Sequence, residues 1–107
     1  MAPKQPFELI YDTEVAGHLA AIERNQYRLI RRTIEEQLRF EPDVETRNRK
    51  PLDRPSVFGT AWELRFGPNN RFRVFYRTNV ENHAVYILAI GVKVGSGLII
   101  GGKEFDL

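Results

Sequence analysis

Arginines in the middle of the sequence are the residues whose type and spacing most suggest chemistry. Between Thr46 and Arg77, eight residues are basic and two are acidic, so this segment carries +6 while the whole chain carries +2. Seven of the eight basic residues are arginines, the side chain best suited to bidentate binding of a phosphate. The segment therefore predicts a surface that faces a polyanion. A solvated basic face without a ligand is the alternative.

Two alternating segments decide which of these residues share a surface. Residues 61–66 and 71–77 alternate between apolar and polar types, and the four residues between them, Gly-Pro-Asn-Asn, have the composition of a turn. In such a hairpin the apolar side chains lie on one face of the sheet and the remaining ones on the other. The second face then carries Glu63, Arg65, Arg71, Arg73, Phe75 and Arg77.

This second face has the residue types of an RNA-binding surface. Its arginines are suited to phosphates, and Phe75 offers a stacking surface for a base unless a partner or the C-terminal tail covers it. Glu63 is expected to form an ion pair with Arg65 or Arg73. The alternative is that Glu63 accepts a proton in catalysis.

The flanking elements are predicted from periodicity. Residues 7–11 alternate and predict a first strand, and apolar residues at helical spacing over 15–22 and 27–38 predict two amphipathic helices that form a hairpin. A long connection over 41–59 carries Arg49 and Lys50, which would lie over the rim of the basic face. A continuous apolar run over 85–92 predicts a buried strand with Lys93 at its end, and residues 98–100 suit a short edge strand.

The order strand, helix, helix, strand, strand, strand predicts an α+β fold. We expect a small twisted antiparallel sheet with the N-terminal helical hairpin packed on one face and the other face open. A length of 107 residues fits a single domain over 1–107.

Several classes of chemistry find no support in the sequence. The absence of cysteine excludes disulfides and thiolate chemistry. No clustered His, Asp or Glu pattern predicts a metal, and no glycine-rich loop between a strand and a helix predicts a small-molecule cofactor. The longest uncharged apolar stretch is shorter than the roughly 20 residues that cross a bilayer, and the N-terminus lacks an apolar signal core. A cytoplasmic protein without membrane contacts is expected.

Four segments together resemble the RelE/ParE superfamily, the toxins of bacterial type II toxin–antitoxin systems. They are residues 61–65 (AWELR), 71–76 (RFRVFY), 87–93 (ILAIGVK) and the loop element 50–52 (KPL). Element order and chain length agree with the family as well, so the resemblance covers nearly the whole chain.

The resemblance implies a toxin that a cognate antitoxin protein neutralises. RelE-like members are ribosome-dependent mRNA endoribonucleases (mRNA interferases) that arrest translation, and this is the activity expected here. ParE-like members inhibit DNA gyrase without enzymatic activity and provide the first alternative. An RNA-binding module without cleavage is a further alternative.

The resemblance also implies roles for individual residues. Arg73 matches the family's arginine in this strand and would stabilise the phosphate. Arg65 stands at a lysine position, and Lys93 stands at the basic position after the fourth strand. Lys50 lies where some relatives have a catalytic loop residue.

Two positions depart from the nuclease pattern. Glu63 stands where the nucleases have another lysine and would have to act as the base, and Ile99 stands near their catalytic tyrosine. The predicted catalytic set is therefore Arg73, Arg65, Lys93 and Glu63. The predicted RNA-binding set is Lys50, Arg49, Arg71, Phe75 and Arg77.

Overall fold

The computed structural model describes residues 5–53 and 62–105, and in them the chain forms a seven-stranded sheet with two α-helices. The strands are β1 (Glu8–Tyr11), β2 (Arg49–Pro51), β3 (Trp62–Phe66), β4 (Phe72–Asn79), β5 (Ala84–Val94), β6 (Gly97–Ile100) and β7 (Lys103–Phe105). The helices are α1 (Val15–Ala20) and α2 (Tyr27–Leu38), and short 3-10 turns cover Arg24–Gln26 and Pro68–Asn70.

Six strands form an antiparallel path in the order β2-β3-β4-β5-β6-β7, which confirms the predicted combination of helices with an antiparallel sheet. β1 is a strand as predicted, but it pairs with β5 in parallel. β5 is eleven residues long. One of its edges therefore has room for β1 beside residues 84–87 and for β6 beside residues 91–94.

The helices cover one face of the sheet. Ile30, Ile34 and Leu38 of α2 are at most 1% exposed and pack in one core with the inward-facing residues of β3 and β4. The predicted helical hairpin is not confirmed, because α1 has six residues, fewer than two turns. A 3-10 turn at Arg24–Gln26 then leads directly into α2.

The opposite face of the sheet is only partly open. A second, smaller apolar cluster lies on it, made of Phe75, Ala89, Leu98 and Ile100 with Leu52 and Phe105 packed against them. The prediction of a fully open face is wrong because the glycine-rich C-terminal segment folds into two strands, β6 and β7. Leu98 and Ile100 are two residues apart in β6, so their side chains point to this same face and pack against Phe75 there.

The predicted edge strand at 98–100 is found as β6, but β7 pairs with it and takes the edge position. The predicted connection over 41–59 contains the three-residue strand β2. The rest of that connection, residues 54–60, and residue 61 of the hairpin lie outside the described residues. Within 5–53 and 62–105, neither helix has the length and apolar character needed to cross a bilayer.

Candidate functional site

The site begins with two arginines on neighbouring strands. Arg65 of β3 lies directly opposite Arg73 of β4 in the antiparallel register, so both side chains leave the same face of the sheet. The neighbouring residues Leu64 and Val74 point into the core under the helices, so the arginines occupy the face away from the helices. The predicted placement of the two arginines on one shared face is confirmed.

Glu63 forms an ion pair with each of the two arginines. It is 2% exposed, its Oε1 accepts a hydrogen bond from Nε of Arg65, and its Oε2 lies 3.4 Å from Nη1 of Arg73. The expected ion pair is confirmed and extends to both arginines. Each carboxylate oxygen therefore already faces a cation, which fits a residue that positions the arginines better than one that takes a proton from a substrate.

Arg73 is held rigidly, yet part of its guanidinium reaches solvent. The side chain donates from Nε to the carbonyl of Asn70 at 2.9 Å and from Nη1 to Glu63. A guanidinium has five N–H donors, so these two bonds leave three unused within the described residues. No buried side-chain nitrogen or oxygen atom there lacks a partner. The unused donors of Arg73 therefore face the cleft beside it.

That cleft brings a third cation to the site. It has a volume of about 580 Å³ and is lined by Pro68, Asn69, Arg71, Arg73, Val92, Lys93, Val94 and Gly95. The Lys93 backbone N–H donates to the Arg71 carbonyl at 2.7 Å, which continues the β4–β5 pairing to the end of the sheet. Lys93 forms no ion pair with any described residue. Its ammonium group and the free edge of Arg73 therefore face the same space.

Lys50 lies on the other side of Glu63. It is opposite Glu63 in the β2–β3 register, and its ammonium is 3.5 Å from Glu45. Both side chains of this outer pair are at least 40% exposed, so the pair is weak in water. The structure thus places Lys50 at the rim of the site, in the row that Glu63 occupies.

Arg49 was predicted to lie over the rim of the basic face and to bind RNA, and the structure contradicts the predicted position. It is 8% exposed, and its guanidinium donates to the carbonyl of Val44 and to both the carbonyl and side-chain oxygens of Gln37. Arg49 lies opposite Leu64 in the sheet register and therefore on the helix side. Its guanidinium binds the orphan carbonyl of Gln37 in the last turn of α2, so the role is structural.

Phe75 and Arg77 lie on the predicted face of the sheet, and the covering of Phe75 by the C-terminal tail, left open by the sequence, is found. Phe75 is 4% exposed and belongs to the second apolar cluster, so no face is free to stack on a base. Arg77 shares the face of Arg73 but lies four residues further along β4. Its guanidinium sits 5.0 Å from the centre of the Tyr86 ring, a cation–π contact away from the cleft.

Arg71 lies at the end of the sheet. Its guanidinium is 4.8 Å from the centre of the Phe72 ring and 4.0 Å from Oε2 of Glu23, which precedes the first 3-10 turn. The side chain still lines the cleft. Arg71 therefore borders the site from the helix side. The alternation had predicted that it lies in one row with Arg73, and it does not.

Among the described residues, no group in the cleft lining is an obvious general acid. Those residues of the lining include no carboxylate, histidine or tyrosine. Tyr76 is fully buried and donates to the carbonyl of Pro42 at 2.7 Å, and burial raises the pKa of its phenol well above the ordinary value. Among the described residues, Lys93 is the one group in the lining that can exchange a proton, since guanidinium stays charged. No group of three or more His, Asp or Glu side chains there forms a metal site.

Two asparagines support the arginines and were not predicted. Asn48 clamps the Arg65 backbone: its carbonyl accepts from the Arg65 N–H at 2.8 Å, and its amide donates to the Arg65 carbonyl at 2.7 Å. Asn70 supplies the carbonyl that binds Arg73, from a turn in which it has a φ of 52°. The Asn-Asn pair in the turn was the available signal, because asparagine tolerates left-handed backbone.

Comparison with known proteins places the fold. No protein-family model matches the sequence, and no curated protein matches it. Among solved structures, the chain is similar to one chain of the RelBE2 toxin–antitoxin complex from Mycobacterium tuberculosis. The TM-score is 0.67 with 19% sequence identity, over 89% of this chain and 100% of that chain. At this identity the similarity establishes the fold. The chain has the fold found in that toxin–antitoxin complex, in agreement with the resemblance drawn from the sequence.

Proposed function

We propose that this protein is the toxin of a type II toxin–antitoxin system and acts as a ribosome-dependent mRNA endoribonuclease that a cognate antitoxin neutralises. The observation that carries the proposal is the buried guanidinium of Arg73, fixed by Glu63 and Asn70, with free donors beside Lys93. Rigid cations aimed at one space suit the transition state of phosphodiester cleavage, in which negative charge grows on the phosphate.

In this reaction the 2′-hydroxyl of a ribose gives its proton to a water molecule and attacks the adjacent phosphate, the bond to the 5′-oxygen of the next nucleotide breaks, and that oxygen leaves with a proton while a 2′,3′-cyclic phosphate remains. Arg73 and Arg65 would bind the non-bridging phosphate oxygens. Lys93 would donate a hydrogen bond or a proton to the leaving oxygen. Glu63 would orient the two arginines by its ion pairs with them. The cleft is too shallow to align the mRNA by itself, and the ribosome would provide that alignment.

A toxin that binds its target without cleaving RNA is the second candidate, and one observation favours it. Within residues 5–53 and 62–105, the cleft lining contains neither a carboxylate nor a histidine, and both oxygens of Glu63 already face arginines. Inhibition of DNA gyrase and RNA binding without cleavage both fit this description.

Induced expression in bacteria distinguishes the candidates. We would compare the wild type with Lys93→Gln, and with an apolar double variant, Glu63→Leu with Arg73→Met, which removes both buried charges together. Arg28→Gln, on the exposed side of α2, is the control. Protein synthesis, the ends of a reporter mRNA by primer extension, and a DNA-damage reporter are measured in each strain.

The nuclease proposal expects translation arrest and new mRNA ends from the wild type and the Arg28 variant, and neither from the other two. Arrest of growth with intact mRNA and an active damage reporter would assign gyrase inhibition instead. Co-expression of the antitoxin should restore growth. Toxicity of the apolar double variant equal to the wild type would refute the assignment of Arg73.

A further inference from the structure

Arg71 differs from the other two cations of the cleft in where its charge is directed. Arg73 is held by bonds within the site, and Lys93 forms no ion pair with a described residue. The Arg71 guanidinium instead reaches toward the helix side, where its Nη2 lies 4.0 Å from Oε2 of Glu23. Arg71 therefore lines the cleft while its charge faces a carboxylate outside the cleft.

The ion pair between Arg71 and Glu23 is weak. The two side chains are 37% and 66% exposed, and the atoms are far apart for an ion pair. Exposed pairs of this kind contribute little, because water solvates both charges. An anion that enters the cleft can therefore replace the Glu23 carboxylate at little cost.

The backbone of Arg71 is fixed, so a change of partner needs only a rotation of the side chain. Its N–H donates to the Pro68 carbonyl at 3.1 Å, and its carbonyl accepts from the Lys93 N–H at 2.7 Å. Its φ and ψ are −71° and −27°, a helical conformation that precedes the alternation of β4. The guanidinium forms no hydrogen bond with a described residue, and it packs 4.8 Å from the centre of the Phe72 ring. The side chain can therefore turn into the cleft without breaking a hydrogen bond.

The cleft has room for a second phosphate beside the one assigned to Arg73. Its volume of about 580 Å³ falls in the range of sites that hold a whole small molecule. The Cα atoms of Arg71 and Arg73 are at most about 7 Å apart, because the residues are two positions apart in the chain. Two arginines at this spacing can bind successive phosphates of one strand. Since Arg71 borders the cleft from the helix side and Arg73 leaves the opposite face, the strand would cross the end of the sheet.

We propose that Arg71 forms a second phosphate subsite of the cleft, in which a phosphate of the RNA strand displaces Glu23 as the partner of the guanidinium. This inference rests on the proposed function for the phosphate on Arg73 and adds to it a requirement for two successive phosphates. Glu23 is then a resident counter-ion that holds Arg71 at the rim of the cleft until RNA binds. Recognition is by the backbone of the strand, so this subsite adds no base preference.

The probes are uridine hexamers with 2′-O-methyl groups, which prevent cleavage. Neutral methylphosphonates replace every linkage except one phosphate, except two successive phosphates, or except two phosphates that two neutral linkages separate. Affinities are measured over a series of salt concentrations, because each phosphate neutralised on a single strand adds about 0.7 to the slope of log K against log salt.

The comparison between the two probes of equal charge isolates the second subsite. We expect the wild type to bind the successive phosphates more tightly than the separated ones, by up to about fivefold at low salt, the limit for one exposed ion pair. The salt slope should be steeper by about 0.7 for the successive phosphates. Arg71→Gln should leave the affinity for the one-phosphate probe nearly unchanged and should bind the successive and separated phosphates equally.

Removing the competing carboxylate tests the exchange of partners. Glu23→Gln should strengthen the binding of successive phosphates by up to about fivefold, and this gain should vanish when Arg71→Gln is added, because the carboxylate acts through Arg71. Glu36→Gln is the matched control, since Glu36 lies 3.9 Å from Arg32 on α2 with the side chains 65% and 64% exposed. It should change no affinity, and the urea midpoints of all these variants should equal that of the wild type.

Equal affinity of the wild type for successive and separated phosphates, or a preference that survives in Arg71→Gln, would overturn the second subsite. An effect of Glu23→Gln that is absent, or that is the same with and without Arg71, would overturn the exchange of partners. The proposed function fails differently: the apolar double variant would then bind the one-phosphate probe as tightly as the wild type.

Discussion

Removing the carboxylate of Glu63 is the perturbation whose cost the structure defines best. The Glu63 side chain is 3% exposed, and its two partners differ sharply: Arg73 is 7% exposed and Arg65 is 41% exposed. Glu63→Ala leaves the charge of Arg73 buried without its counter-ion, which costs about 3–5 kcal/mol. Arg65 remains hydrated, so its part in the interaction is at most about 1 kcal/mol.

A double-mutant cycle isolates the Glu63–Arg73 term. We would measure the free energy of unfolding by urea denaturation followed by circular dichroism for Glu63→Ala, Arg73→Ala and both together. Arg65→Ala serves as the exposed control. Glu63→Ala should cost about 3–5 kcal/mol, and Arg73→Ala should cost less because Glu63 keeps Arg65 as a counter-ion. The combination should cost less than their sum, because the Arg73 substitution removes the charge that Glu63→Ala leaves unpaired. The apolar double variant should be close to the wild type in stability, since apolar residues of similar volume can replace a buried pair.

Two results would refute this reasoning. The first is that Arg65→Ala destabilises the protein as much as Arg73→Ala, because burial would then not determine the cost. The second is strict additivity of Glu63→Ala and Arg73→Ala, which would mean that the two side chains do not interact.

Three further predictions concern the scaffold. His18 Nδ1 accepts the Ile90 N–H in the gap between β1 and β6 on the edge of β5, and burial lowers its pKa from 6.5. The stability that this neutral ring contributes is therefore fully present above pH 6.5 and is lost as the pH falls below it. The urea midpoint is measured at pH 7.5 and pH 5.5, about one unit either side of that value. Between these two pH values the midpoint should fall less in His18→Gln than in the wild type. An equal fall in both would contradict this. Gly91→Ala should destabilise the protein by about 1–3 kcal/mol, because the new Cβ would lie 2.8 Å from the Ile100 side chain and 2.9 Å from the Ile99 carbonyl. Gly17→Ala, which has open space around it in α1, should instead stabilise the protein by about 0.5–1 kcal/mol. Equal urea midpoints for the two variants would contradict this prediction. Arg49→Gln should lower the unfolding free energy by about 2–4 kcal/mol, because its hydrogen bonds to backbone carbonyls are lost. The salt dependence of RNA binding should stay unchanged. A shallower salt dependence in this variant would mean that Arg49 contacts RNA.

The sequence predicts the β3–β4 hairpin well because strand alternation is a strong signal when one face is buried. Arg65 and Arg73 lie on one face, and Glu63 pairs with both, as the period of two requires. Alternation assigns a residue to a face of the sheet, but it does not say what covers that face. The sequence therefore left open whether Phe75 stacks on a base or is covered by the C-terminal tail, and Leu98 and Ile100 of that tail bury it.

Other errors come from short elements and from their register. β2 has three residues in a segment rich in proline and charge, so neither its existence nor its pairing has a sequence signal. Without the pairing of Arg49 with Leu64, the burial of Arg49 could not be foreseen. The left-handed backbone of Asn69 and Asn70, in contrast, has a sequence signal in the composition of the turn. What the sequence did not predict is that this turn presents the Asn70 carbonyl to the Arg73 side chain.

The central claim is that Arg73, with Arg65 and Lys93, holds a phosphodiester of mRNA for cleavage. The most direct measurement is the rate at which purified protein cuts mRNA on programmed ribosomes, at saturating protein and in a single turnover. We expect discrete cleavage by the wild type and by Arg28→Gln. The apolar double variant, shown to be folded by its urea midpoint, should produce none. Cleavage at the wild-type rate by that folded variant would contradict the account.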